Sequence, residues 1–261
     1  MNKYDYGACW ESNADDWTRL TRAGYDVYRD ALHTPAFLRI LPDVSGRRGL
    51  DVCCGEGAGT RHLARLGANM VGADISPTFI RYAVEEETRE PLGIRYQQAD
   101  AANLPFPDAS FDFASAFMSL MDVDDLPGVI REIARVLTPG GFLQFSILHP
   151  CFSPPRRRVL RDDSGKVLGV ELGGYFDRSE RMETWTFSSL PEAERQNMRP
   201  FITPYRHYPL SDWFAILSDS GLTVEHMEEP QATEELAAKI PMLDDTLAFP
   251  LAMILRVGKR G

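Results

Sequence analysis

Three aspartates, Asp51, Asp74 and Asp100, each stand at the end of a short apolar run, and the first run leads into a turn holding Gly55, Gly57 and Gly59. Runs at Gly49–Cys53, Met70–Ala73, Ile94–Gln98, Phe111–Ala116 and Phe142–Leu148 have the length of strands rather than of buried helices. Amphipathic stretches separate them. Gly57–Leu66 ends at Gly67, which suits a helix C-terminus, and Ser76-Pro77 offers an N-cap followed by proline at the first helical position. Phe79, Ile80, Ala83 and Val84 then share a face opposite Glu85, Glu86 and Glu87. Val129, Ile130, Ile133 and Leu137 mark a further helix, stopped by Pro139-Gly140-Gly141. Strands alternating with helices at this spacing predict an α/β fold built on a doubly wound, mostly parallel sheet. In such a sheet ligands bind at the carboxyl ends of the strands, where the three acids fall.

Outside this region the rhythm changes. Residues 8–41 carry Trp17, Leu20, Ala23 and Val27 at helical spacing, with Tyr28, Leu32, Phe37 and Leu38 following, and Pro42–Arg48 reads as a linker. Residues 149–209 open on Pro150, Pro154 and Pro155 and continue with Arg156, Arg157 and Arg158. They predict a hairpin about Asp163-Ser164-Gly165, between Val159 and Leu172, and hold Tyr175, Phe176, Trp185, Phe187, Phe201, Tyr205 and Tyr208. Beyond them Ser211 caps a helix through Leu217. Strands at Leu222–Met227 and Phe249–Val257 pair antiparallel at one edge and complete a seven-stranded sheet. The 261 residues therefore read as a single domain: an N-terminal helical cap at 1–45, a core at 46–148, an insert at 149–209 placed as a lid, and the end of the core at 210–261.

A glycine turn between strand and helix lets backbone and ligand approach closely and offers the free N–H groups of a helix start to a nucleotide. The spacing argues against two nucleotide classes. A dinucleotide turn would need glycine where Thr60 stands, and a phosphate loop would need Gly-Lys-Ser/Thr. Asp51 would repel a pyrophosphate but suits a cationic amino-acid group. Asp74 can take both hydroxyls of a ribose, and Asp100, followed by Ala101, can accept from an adenine amino group. Each of these acids, taken alone, also reads as a helix cap or loop carboxylate.

The run Leu50-Asp51-Val52-Cys53-Cys54-Gly55-Glu56-Gly57 resembles the first motif of class I S-adenosylmethionine-dependent methyltransferases. Val71-Gly72-Ala73-Asp74-Ile75-Ser76 looks like their ribose-binding strand, and the stretch from Gln98 to Asp112 is similar to their adenine-binding loop and the approach to strand four. The stretch from Arg135 to Gly141 resembles the helix and turn before strand five. The likeness covers roughly residues 45–150, with an echo from Tyr208 to Pro230. It is closest to the small-molecule branch that includes the quinone-biosynthesis methyltransferases. The resemblance implies a Rossmann-like fold, S-adenosylmethionine as donor and S-adenosylhomocysteine as product. It implies a donor site at Asp51, Cys53, Gly55, Gly57, Asp74, Ile75, Asp100, Ala101 and Phe117, with Tyr28 or Arg29 on the donor's carboxylate. Cys53 stands where the family's first turn glycine usually stands. It reads either as a reactive thiol beside Cys54 or as a small buried residue that tightens the pocket.

Methyl transfer from a sulfonium needs in-line placement of the acceptor and exclusion of water, and a base only where the acceptor arrives protonated. His149, directly after strand five, is the candidate catalytic base; its other reading is a side chain that orients the Pro150 turn. Met118, Tyr175, Trp185, Tyr205 and His207 are candidate substrate-binding residues, with packing or surface roles open to each. His33 and His62, on helices, read as structural or solvated. The aromatic insert suits a small aromatic or apolar acceptor, methylated on oxygen or nitrogen. Lys plus Arg is 28 and Asp plus Glu 38, a net charge of -10, which weighs against nucleic acid as partner. A methyltransferase acting on RNA or protein is therefore the second enzymatic reading, a non-catalytic S-adenosylmethionine-fold binding protein the reading from another class, and a dinucleotide dehydrogenase, which the glycine spacing opposes, the third. Cys9, Cys53, Cys54 and Cys151 form no CxxC pair and no histidine gathers near them, so no metal site is expected. No apolar run reaches the about eighteen residues of a membrane span, and the first residues lack the apolar core of a signal peptide. The expectation is a cytoplasmic monomer or homodimer.

Overall fold

The computed structural model describes residues 4–261. Helix α1 (Tyr6–Arg22) starts on Asp5, whose carboxylate accepts the amide of Ala8 at 2.9 Å. A π-helical turn over Arg29–His33 runs into α2 (Thr34–Arg39). Then β1 (Arg48–Val52), α3 (Ala58–Arg65), β2 (Asn69–Asp74), α4 (Pro77–Arg89), β3 (Arg95–Gln98) and β4 (Phe111–Phe117) alternate. A 3₁₀ turn over Leu120–Asp122 leads to α5 (Leu126–Val136) and β5 (Leu137–Leu148). The insert adds β6 (Arg156–Arg161), β7 (Val167–Gly173), β8 (Glu180–Trp185), α6 (Glu192–Asn197) and β9 (Phe201–Arg206). The chain closes with α7 (Leu210–Asp219), β10 (Leu222–Glu228), α8 (Glu234–Lys239), a 3₁₀ stretch over Pro241–Leu247, and β11 (Ala252–Lys259).

The 7-stranded sheet runs β10-β11-β5-β4-β1-β2-β3. Strands β1 to β5 are parallel, and β11 is antiparallel to both β5 and β10. This is the doubly wound sheet with an antiparallel edge that the strand pattern predicts, and the Rossmann-like arrangement that the resemblance implies. Leu50, Val52, Ala114, Phe145 and Ile147 are fully buried on one face against Leu126, Ile130 and Ile133 of α5. Phe113 and Phe142 stack on the other face at 5.5 Å, above Met70 and Leu63. Burial on both faces makes parallel strands read as unbroken apolar runs.

Local differences from the sequence reading have plain causes. The helix expected across 8–41 is broken after α1, because Gly24 takes φ +81 and the amides of Ala23, Gly24 and Tyr25 turn back to the last carbonyls of α1. Ser211 lies inside α7, whose N-cap is Pro209. Pro139-Gly140-Gly141 falls within the span of β5, where the register with β4 shifts between Phe111 and Phe113.

The insert consists of two hairpin-like sheets, β6-β7 and β8-β9, both antiparallel. Helix α1 lies between α4 and β9. Glu11 of α1 accepts from the hydroxyls of Ser76 and Thr78 at the start of α4. On the other side Trp17 meets Trp185, Phe187 and Phe201 at centroid distances of 5.6, 5.2 and 5.5 Å. Such ring pairs each add about 0.5–1.5 kcal/mol beyond the area they bury. Among the described residues no helix is long and apolar enough to cross a membrane.

Candidate active site

The turn after β1 is held by β2. Asp74 accepts the amide of Gly55 on Oδ2 and the amide of Ser76 on Oδ1, both at 2.9 Å. The turn needs left-handed backbone at Cys53, Gly55 and Gly57, with φ of 56, 55 and 89. Nothing lies within 4 Å of where a Cβ on Gly55 would stand, so the backbone there opens to space. Burial pushes the Asp74 carboxyl up to about 6 against those two amides, which favour the ionised form.

Over this turn lies a cavity of about 740 Å³, within the ordinary range for a small-molecule site. At one end its wall includes Cys53, Gly55, Asp74, Ile75, Asp100, Ala101 and Phe117, which the sequence groups at the donor site. Tyr28 and Arg29 join them from the N-terminal segment. The Tyr28 hydroxyl donates to the carbonyl of Met242 at 2.5 Å and lies 3.1 Å from Asp245 Oδ1. Arg29 pairs with Asp30 at 2.7 Å and with Glu56 at 3.6 Å. His33 and His62, expected from the sequence to be structural or solvated, also line the cavity. Nε2 of His33 is buried without a hydrogen-bond partner, and burial lowers the ring to about 4.

The other end is walled by the insert. Arg181, Glu183 and Trp185 alternate along β8 and so share a face, with Tyr205 and Thr203 opposite Arg181 and Glu183 on β9. Arg181 donates to Glu183 at 2.7 Å and lies 4.7 Å over the Tyr205 ring. Trp185 Nε1 donates to Thr203 Oγ1 at 3.1 Å. Met118 enters the same wall with φ 49, its amide donating to Ser146 Oγ at 3.0 Å. Asp122 faces the cavity from the 3₁₀ turn after β4.

Several expected site residues lie elsewhere. Asp51 sits behind the glycine turn, where the hydroxyls of Thr60 and Ser115 donate to it at 2.6 and 2.7 Å. Gly57 faces Tyr96 instead of the cavity: a Cβ there would meet the phenol oxygen at 2.5 Å. His149 is buried with its ring turned to Glu229, because both nitrogens are taken up by local partners. Tyr175 and His207 pack on each other at 5.6 Å away from the cavity wall, and the Tyr175 hydroxyl accepts the amide of Leu210 at the start of α7. Arg181, Glu183 and Asp122 are cavity residues that sequence reasoning missed. The period-two alternation of charge and ring in β8 was the available signal for the first two.

A family model described as a methyltransferase domain matches residues 50–145. The chain is 34% identical over 164 residues to a demethylmenaquinone methyltransferase of Tropheryma whipplei, covering 60% of this chain and 67% of that protein. It is 34% identical over 129 residues to a fatty-acid O-methyltransferase of Mycolicibacterium smegmatis, covering 48% of this chain and 46% of that protein. The crystal structure of an S-adenosylmethionine-dependent methyltransferase from Mesorhizobium loti superposes with a TM-score of 0.70 at 26% identity, covering 86% of this chain and 96% of that one. The glycine turn, the acids at the ends of β2 and β3, the strand order and these likenesses agree: the chain belongs to the class I S-adenosylmethionine-dependent methyltransferases.

Proposed function

We propose that the protein moves a methyl group from S-adenosylmethionine to an oxygen or nitrogen of a small, apolar or aromatic acceptor. The observation that carries this reading is the single cavity that runs from the acids of β2 and β3 to the rings of the insert. The residues around the glycine turn fit the donor. Asp74 and Asp100 are free to accept further hydrogen bonds, Gly55 leaves open space, and His33 Nε2 is a buried polar atom awaiting a partner. In this reading Asp74 holds the ribose, Asp100 and Ala101 the adenine, Ile75 and Phe117 the flat faces, and Arg29 the carboxylate. The donor supplies an electrophilic methyl on a sulfonium.

The part of the chain is placement. Trp185, Tyr205 and Met118 position an apolar acceptor, and the insert at 149–209, serving as a lid, keeps water from the methyl group. The named relatives act on a quinone and a fatty acid, which are apolar small molecules, and this supports an acceptor of that kind. We place the protein in the cytoplasm as a monomer or homodimer that works without nucleic acid. Calorimetry with S-adenosylmethionine, followed by release of S-adenosylhomocysteine with a panel of quinols, phenols, fatty acids and aromatic amines, tests the proposal. Micromolar donor binding and turnover with a panel member are expected. Absence of donor binding, or tight salt-sensitive binding of tRNA, overturns it.

A further inference from the structure

Asp122 lines the cavity together with Cys53 of the glycine turn and with Glu183 and Tyr205 of the insert. It ends the 3₁₀ turn after β4, and that turn packs against β9 and β5. The groups that face it are Cys53 from the glycine turn, Glu183 from β8 and Tyr205 from β9. Arg181 is engaged with Glu183 at 2.7 Å, and the Asp122 carboxyl receives no hydrogen bond from the described residues. Enclosure in the cavity wall, reinforced by the charge of Glu183, pushes that carboxyl up to about 8 and favours its neutral form before any ligand arrives.

A partnerless carboxyl beside the site of a cationic ligand has its charge set by that ligand. We propose that Asp122 takes the proton of the methyl acceptor, and that the positive charge of the bound donor ionises it for this task. The inference rests on the donor reading above and narrows the acceptor to one that reacts through O–H or N–H: an alcohol, a phenol or an amine. The acceptor's oxygen or nitrogen bonds to the methyl carbon, and the sulfur–methyl bond breaks with its electron pair left on sulfur. The acceptor's proton passes to the Asp122 carboxylate. The donor product is an uncharged thioether, so the influence that kept Asp122 ionised vanishes as the proton arrives. Asp122 gives that proton to solvent when the next donor binds.

The test compares S-adenosylmethionine with S-adenosylhomocysteine as ligands of the wild type and of Asp122→Asn. Calorimetry at neutral pH in buffers of different ionisation enthalpy counts the protons exchanged. The wild type is expected to release close to one proton more with the sulfonium than with the thioether. Its preference for the sulfonium should rise with pH, by at most about tenfold per pH unit, until Asp122 is ionised without help. Asp122→Asn should erase both the extra proton and the pH dependence. Asp122→Ser repeats the comparison if the amide disturbs folding, and Asp122→Glu should retain the release. Equal proton counts for the two ligands in the wild type, or a difference that survives in Asp122→Asn and Asp122→Ser, overturn the proposal. Failure of both ligands to bind overturns the donor reading instead.

Discussion

Nε2 of His149 donates to Glu229 at 2.8 Å, while Nδ1 accepts the amide of Cys151 at 3.1 Å. The ring thereby ties the end of β5 to the segment after β10. Burial lowers its proton affinity more than Glu229 restores it, so the neutral ring is the resting form. His149→Ala is expected to lower stability by about 1–3 kcal/mol, read from the urea midpoint, and to leave S-adenosylmethionine affinity at the wild-type value. A wild-type midpoint with abolished turnover would restore His149 to the chemistry.

Asp74 supports the turn and faces the cavity at once. Asp74→Ala leaves the amides of Gly55 and Ser76 without their acceptor. Donor binding is expected to weaken by at least about tenfold, equivalent to ~1.4 kcal/mol. Unchanged affinity in a calorimetric titration would remove Asp74 from the ribose role.

Gly59 lies in α3, where alanine is ordinarily favoured by about 1 kcal/mol. A Cβ at this position would meet Phe117 at 2.5 Å, and Phe117 is itself packed against Phe37 with ring centroids 4.0 Å apart. The clash outweighs propensity. Gly59→Ala is expected to destabilise by about 1–3 kcal/mol. A raised melting temperature would show that Phe117 yields freely.

His33 gives a pH prediction of definite sign. Its ring titrates near 4 when folded and near the ordinary 6.5 when unfolded. Below 6.5 the unfolded chain binds a proton that the folded one does not. The contribution of His33 is therefore complete above 6.5 and is lost as pH falls toward 4. His62, His149 and His207, also lowered by burial, act in the same direction, while Asp51 and Asp74, raised to about 6, oppose them. The difference between wild type and His33→Leu isolates one ring. The variant's melting temperature should fall less between pH 6.5 and 4, and parallel curves would refute the assignment.

The parallel strands could be read from the sequence because burial on both faces leaves apolar runs bounded by glycine and proline. The places of Asp74 and Asp100 followed, since the ends of neighbouring parallel strands share one edge. Topology alone could not aim side chains. His149 has the expected position after β5, but Glu229 and the Cys151 amide turn its ring aside. Asp122 belongs to the acidic stretch Asp122-Val123-Asp124-Asp125, which carries no local mark of a cavity; the strand that packs against this turn, β9, lies far along the chain. The inner face of β8 likewise depends on pairing with Thr203 and Tyr205.

The contact of Trp17 with Trp185, Phe187 and Phe201 has a bearing on how this wall is passed between proteins. The first helix and the insert are far apart in sequence, yet they share one aromatic nucleus. Transplanting the insert alone into a relative would strand half of that nucleus, and shortening the N-terminus would uncover the other half. The portable unit of acceptor preference is therefore the two segments together, and a chimera that exchanges both is the smallest one with its apolar surfaces matched.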